Sequence, residues 1–227
     1  MSKPRDPYAR LSGALTAPLR TLSQIAAEAI EGLIAEGELS SGDRINESHL
    51  AETLGISRGP IREACRTLEQ AGLLVSITNK GTYVRALGVE QAQHLYELRA
   101  ALAGLTGRLV ARRGQDEDIA GIVALVDQMD AAVAECDPES YFQLNLDFHA
   151  RLIEVAANPE LTVTYERTVK QLLLMRRRGL VQARNIRVSN TEHRRIADAL
   201  QARDPDAADA AMRAHVESGF RRLIDTA

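Results

Sequence analysis

The sequence predicts a mainly α chain in two parts: a three-helix unit closed by a β-hairpin, then an all-helical bundle. Three observations carry that expectation. The 227 residues leave room for two ordinary hydrophobic cores. Apolar residues recur at three- and four-residue spacing through most of the chain, the period of an amphipathic helix. A good hairpin signal occurs in one place, near residue 80. With 45% hydrophobic and 26% charged residues, the composition is that of a soluble globular protein and excludes a disordered or fibrous one. No run approaches the roughly 20 apolar residues that a membrane helix requires. The opening MSKPRDPYAR lacks the apolar core of a secretory signal, so a cytoplasmic protein without membrane contact is expected. Cys65 and Cys136 match no CxxC pattern and read as small buried hydrophobes.

Taken in order, residues 1–17 are rich in Pro, Arg, Ser and Ala and read as a loose arm. Leu22, Ile25, Ala26, Ala29, Ile30, Leu33 and Ile34 mark a first helix, stopped by Gly37 and the turn-forming run Ser40 to Asp43. A second helix starts at the N-cap Asn46 and ends at Gly55. A third follows at once, with Ser57 as cap, Pro60 in its first turn, and Ile61, Cys65 and Leu68 as its apolar face before Gly72. Two helices joined by a short Gly-containing turn form a helix-turn-helix. In SITNKGTYV, Ser76 to Val84, two β-rich segments flank Asn79-Lys80-Gly81 and predict a hairpin, the wing.

The third helix carries Arg58, Arg62 and Arg66 every four residues, hence along one face. Such a face is either an ordinary solvated one or one that reaches DNA, where guanidinium groups pair with phosphates or with guanine N7 and O6 in the major groove. Lys80 and Gly81 at the hairpin tip can approach the sugar-phosphate backbone. A net charge of −3 gives no overall attraction to nucleic acid, and residues 40–85 hold six Lys/Arg against five Asp/Glu. Affinity must therefore come from a few placed contacts and from dimerisation.

The run GDRINESHLAETLGISRGPIREACRTLEQAGLLVSITNKGTYV resembles the DNA-binding domain of the GntR family of bacterial regulators, with its LA..LG.SR.P.REA...L...GL......GT.V pattern almost complete. The resemblance implies a winged helix-turn-helix over 18–86 that reads an inverted-repeat operator as a homodimer. It implies DNA contacts from Arg58 and Arg62, supported by Arg44, Ser57, Arg66, Lys80 and Gly81.

Residues 88–227 read as helix throughout. Leu95, Leu98, Leu102, Leu105 and Leu109 mark one helix and Ile119, Ile122, Val123 and Val126 a second. Further helices are expected over 139–157, 160–180, 189–202 and 206–224, separated by Pro138, Asn158-Pro159 and Asp204-Pro205. Asn145 and His149 lie four apart on one helix face, His193 is expected to start the fifth helix of the bundle, and His215 lies in the sixth. Singly, each histidine is accounted for as a hydrogen-bonded residue of core or surface. Together they could hold a divalent transition metal, zinc first, with nickel or iron as alternatives.

The segments NLDFHARLIEVAANPEL, TEHRRIADAL and AAMRAHVE are similar in order and spacing to the metal-bearing segments of the FCD-type effector domain found in one GntR subfamily. That similarity implies a ligand set of Asn145, His149, His193 and His215, and an inward-facing Arg99 that would clamp a small carboxylate effector. On the residues alone, Arg99 is equally a surface arginine of an amphipathic helix. The expected function is a repressor released by a small carboxylate bound at the metal. The alternatives are a metal-sensing regulator and a metal-dependent enzyme. Against the enzyme stands the absence of an HExxH, paired-Glu or nucleophile motif.

Overall fold

The computed structural model describes residues 20–175 and 183–225. The arm expected over 1–17 lies outside the described residues, as does the start of the segment expected from 18. The described elements run α1 (Leu22–Glu36), α2 (Glu47–Leu54), α3 (Arg58–Gln70), β1 (Leu74–Ile77), β2 (Gly81–Val84), α4 (Val89–Arg113), α5 (Asp116–Ala134), α6 (Pro138–Ala156), α7 (Pro159–Leu172), α8 (Ala183–Gln201) and α9 (Pro205–Ile224). A single 3-10 turn, Leu173–Met175, follows α7. This is a winged helix-turn-helix followed by a helical bundle.

Local chemistry explains most boundaries of the first part. Thr21 and Gln24 form a reciprocal capping box that satisfies two orphan N–H groups at the start of α1. Asn46 accepts the N–H of His49 and opens α2, and Gly55, at φ 65°, closes it in the left-handed conformation a residue with Cβ adopts only at a cost. Three residues later α3 begins. Ser57 occupies its cap position, but its side chain makes no capping hydrogen bond. Ala26, Ile30 and Ile34 of α1 pack with Ile61, Ala64, Cys65 and Leu68 of α3 and with Leu73, Leu74 and Val84 around the hairpin to form one core.

The hairpin is antiparallel, with Leu74 opposite Val84 and Ile77 opposite Gly81. Its first strand begins two residues earlier than expected, because Leu74 is buried against the core. The tip is Thr78-Asn79-Lys80, with Asn79 at φ 62°. Gly81 therefore belongs to the strand and not to the tip. Its φ of +110° suits glycine, and a Cβ there would stand 3.1 Å from Arg44 Nε.

The bundle has its own core, built from α4 to α6, α8 and α9 with Leu161 and Tyr165 of α7. The leucine series on α4 coincides only in part with its buried face: Leu109 is buried and Leu102 packs on the core, but Leu98 and Leu105 are exposed, and Ala100, Ala103, Gly104, Thr106, Gly107 and Val110 are buried. Small residues win that face because α9 packs so closely along it. A Cβ on Gly107 would lie 2.7 Å from the Ala208 carbonyl oxygen. Helix α8 starts six residues before the expected 189, so His193 stands inside it and not at its start. Asn190 hydrogen-bonds across the bundle to Asp130 of α5. Helix α7 stops at Leu172 with the 3-10 turn after it, and the remainder of the span expected to 180 lies outside the described residues. Cys65 is buried as expected. Cys136 is exposed, against expectation, in the turn between α5 and α6, where its φ is 56°.

The two parts touch. Lys170 of α7 pairs with Glu31 of α1 at 2.8 Å, and Gln171 lies so close to Gly72 that a Cβ there would meet it at 2.9 Å. Beside these contacts is a cavity of about 490 Å³, walled by Ile34, Leu39 and Val84 on one side and Phe220, Leu223 and Ile224 of α9 on the other.

Candidate nucleic-acid interface and metal centre

On α3 Ile61, Ala64, Cys65 and Leu68 are buried, and Arg58, Arg62 and Arg66 flank them along a neighbouring face, all exposed. Arg62 has one weak partner, Glu47 at 3.5 Å, with its side chain 71% exposed. A pair so open to solvent contributes little, so the guanidinium remains free to exchange partners. Arg44 bridges antiparallel to Tyr83 and its guanidinium lies against Gly81, which places a cation on the wing. Lys80 is exposed at the hairpin tip. Glu69, which the sequence reading did not single out, takes the backbone N–H of Ser76 at 3.0 Å and its hydroxyl at 2.9 Å. It ties the end of α3 to the first strand of the wing.

In the bundle the three histidines converge. His149 of α6, His193 of α8 and His215 of α9 each present a ring nitrogen within 4.8 Å of the other two. His193 is fully buried and His215 nearly so. His149 Nε2 stands 3.3 Å from His215 Nε2. Two nitrogens bound tetrahedrally to one zinc ion at roughly 2.0–2.1 Å would be separated by about 3.4 Å.

Protonation follows from the partners. His215 Nδ1 lies 2.9 Å from Glu192 Oε2. Burial works against the Glu192 carboxylate, but hydrogen bonds from His215, Arg222 and Ser218 hold its pKa down to about 2. A carboxylate only accepts, so His215 Nδ1 carries the hydrogen. Burial also lowers the pKa of His215 despite Glu192, with the nearby Arg99 and Arg222 cations adding to the effect. The ring is then neutral, and its Nε2 turns a lone pair toward His149. Burial pushes His193 well below its ordinary value, helped by His215, His149 and Arg222. Its Nδ1 pairs with the Tyr141 hydroxyl at 3.3 Å, while its Nε2 is buried with no hydrogen-bond partner. A direct N–H···N bond would account for the His149–His215 pair but not for that third nitrogen. An ion among the three accounts for all of them, so the donor set fits a transition metal.

Asn145 sits one turn before His149 on α6 and lines a cavity of about 330 Å³ with Tyr141, Phe142 and Ser189. Arg99 is directed inward: its Nε is buried without a hydrogen-bond partner, and its guanidinium carbon lies 5.8 Å and 5.9 Å from the ring centres of Tyr96 and Tyr165. Sequence reasoning missed the surround of the site. Glu192 adjoins His193 in the chain and Arg222 follows His215 by seven residues, one helix face, but no spacing signals that the two residues meet. Tyr141 and Phe148 belong to the same surround, with the Phe148 ring 4.9 Å from that of His193. Asp147 points away, as its position two residues from His149 implies, and accepts from Gln143 on the exposed side.

A wing and a basic recognition helix attached to a helical bundle define a DNA-binding transcription regulator. Residues 22–84 match the family model "Bacterial regulatory proteins, gntR family", and residues 94–218 match the FCD domain. The chain belongs to the GntR family, with an FCD domain as its C-terminal part. It is 33% identical over 184 residues to the Nta operon transcriptional regulator of Aminobacter aminovorans, covering 81% of this chain and 86% of that protein. It is 31% identical over 188 residues to the "Probable D-xylose utilization operon transcriptional repressor" of Paenarthrobacter nicotinovorans, covering 81% and 80%. In fold it is similar to E. coli McbR/YncC, with a TM-score of 0.76 and 20% identity over 92% of this chain and 99% of that one. Families and relatives alike are regulators and not enzymes, as expected. No helix among the described residues is long and apolar enough to cross a membrane.

Proposed function

We propose that the chain is a ligand-responsive repressor that reads an inverted-repeat operator as a homodimer and releases it when a small carboxylate occupies a metal-containing pocket in the bundle. Residues 18–86 bind DNA and 88–227 bind the effector and the second subunit. Arg58, Arg62 and Arg66 enter the major groove, Ser57 sits at the N-terminus of their helix, and Arg44, Lys80 and Gly81 hold the backbone at the wing. His149, His193 and His215 bind the metal, zinc first and nickel or iron otherwise, with Asn145 as a fourth donor. Because every donor is neutral, the bound ion would keep its full positive charge and attract an anion. Arg99 takes the other end of that anion: its buried Nε needs an acceptor, and a guanidinium fork matches a carboxylate. The exposed Leu98 and Leu105 on α4 support a subunit contact there.

The observation that carries this reading is the buried, partnerless Nε2 of His193 beside two imidazoles facing each other. Elemental analysis of protein purified without chelators or an affinity tag tests it. About one equivalent of transition metal per chain is expected; well under one, with no uptake on titration, would overturn it. Thermal shifts of the metal-loaded protein with organic and sugar acids then test the effector class, since a ligand bound to the folded state raises its melting temperature. If chelation alone changes operator affinity and no carboxylate does, the protein is a metal sensor. Light scattering with DNA present tests the dimer, and a monomer at micromolar concentration would count against it.

A further inference from the structure

A buried chain of polar contacts runs from the bundle site to Arg222 in the last turn of α9, beside residues of that helix that wall the domain junction. Glu192 joins His215 to Arg222: it takes His215 Nδ1 at 2.9 Å and is gripped by Arg222 through Nη1 at 2.9 Å from Oε1 and Nη2 at 3.1 Å from Oε2. Arg222 also donates to Ser218 Oγ at 2.6 Å, one turn back on α9. Side-chain exposure is only 7% for His215, 13% for Glu192 and 16% for Arg222, so solvent screening at this link is weak. Arg222 lies between Phe220 and the pair Leu223 and Ile224, the residues of α9 that wall the junction cavity opposite Ile34 and Leu39 at the end of α1 and Val84 of the wing. A second line from the site reaches the same place. Arg99 lies over Tyr96, and the Tyr96 ring lies 4.9 Å from that of Phe220.

Resting on the metal reading above, we propose that Glu192 is a positioning residue for the metal-binding His215 and that, through Arg222, it transmits occupancy of the site to the last turn of α9 and across the junction to the DNA-binding part. The fork on Glu192 fixes the carboxylate, and the carboxylate fixes the tautomer and ring plane of His215. A metal ligand held by such an outer partner binds more tightly, and losing the partner costs about 10- to 100-fold in affinity. The linkage is reciprocal: a junction held in one arrangement by DNA would favour one state of the site.

The test uses the full chain and zinc alone. Zinc affinity is measured by competition with a chromophoric chelator, and amide hydrogen exchange is followed with and without zinc. In the unmodified chain, zinc should slow exchange around His193 and His215, in 218–225, and across the junction in 34–41. Glu192→Gln should weaken zinc about 10- to 100-fold. Arg222→Met should retain zinc within about tenfold, a smaller loss than for the direct partner, while zinc no longer slows exchange in 34–41. Arg222→Lys, which keeps the charge but loses the fork, guards against a folding defect and should lose more than half of that protection. Unchanged zinc affinity in Glu192→Gln, undiminished protection of 34–41 in Arg222→Lys, or zinc binding by the unmodified chain without any change in 34–41 would each overturn the link alone. A chain that takes up no zinc would overturn the metal reading as well.

Discussion

Helices α3 and α6 carry their chemistry on the same spacing and use it in opposite directions. Arg58, Arg62 and Arg66 stand at four-residue intervals on α3 and face outward, because Ile61, Ala64, Cys65 and Leu68 fill the core side. Asn145 and His149 share that interval on α6, yet His149 turns inward between Phe148 and the histidines of two other helices. Spacing alone says which side chains share a helix face; the neighbours decide whether that face meets water or protein. Cations go outward readily because a guanidinium is costly to bury without a partner. Neutral imidazoles can be buried, but each then needs a partner for its ring nitrogens, and that requirement makes the bundle site specific.

Phe148→Ala attacks the inward side of the comparison most severely. Phe148 is fully buried and packs on both His149 and His193, so its removal should cost about 3–5 kcal/mol of bundle stability, read by denaturant unfolding. A cost below about 1 kcal/mol would mean that the imidazoles do not depend on this wall. His193→Ala sharpens the same point. It removes one imidazole from the trio, so metal content and melting temperature should fall together while DNA binding suffers less. A metal content equal to that of the parent would exclude His193 as a ligand.

On the outward side, Arg62→Ala should leave the fold intact and weaken specific operator binding by about 1–3 kcal/mol, measured by gel shift at fixed salt. Unchanged affinity would make the arginine face merely solvated. The smallest effect belongs to a residue that only shapes the motif. Asn46→Ala removes the acceptor of the His49 N–H at the start of α2 and should cost about 1 kcal/mol of stability without changing operator sequence preference. A change of preference would show that α2 also reads bases.

The elements most legible in the sequence were those with local causes. Asn46, Gly55 and Gly37 mark helix ends through their own backbone and side-chain chemistry, and each stands where that chemistry predicts. The arginine face of α3 was legible because a strongly amphipathic helix has only one way to turn. Within the bundle the leucine series located α4, but of those leucines only Leu109 is buried, and small residues fill most of the buried face. The same reasoning placed the start of α8 at 189 with His193 beside it, whereas the helix begins at Ala183.

By itself, then, the sequence determined the helix and hairpin signals of the winged helix-turn-helix, the helical character of the bundle, and the residue types able to bind a metal, because capping, turn chemistry and periodicity act within a few positions along the chain. Only the tertiary structure decided that α4 buries Gly104 and Gly107, since the close approach of α9 leaves no room there for larger side chains. It also decided that Glu192 and Arg222, thirty residues apart, close around His215. Such a meeting depends on how α8 and α9 pack, and burial of both charges is tolerable only because each satisfies the other.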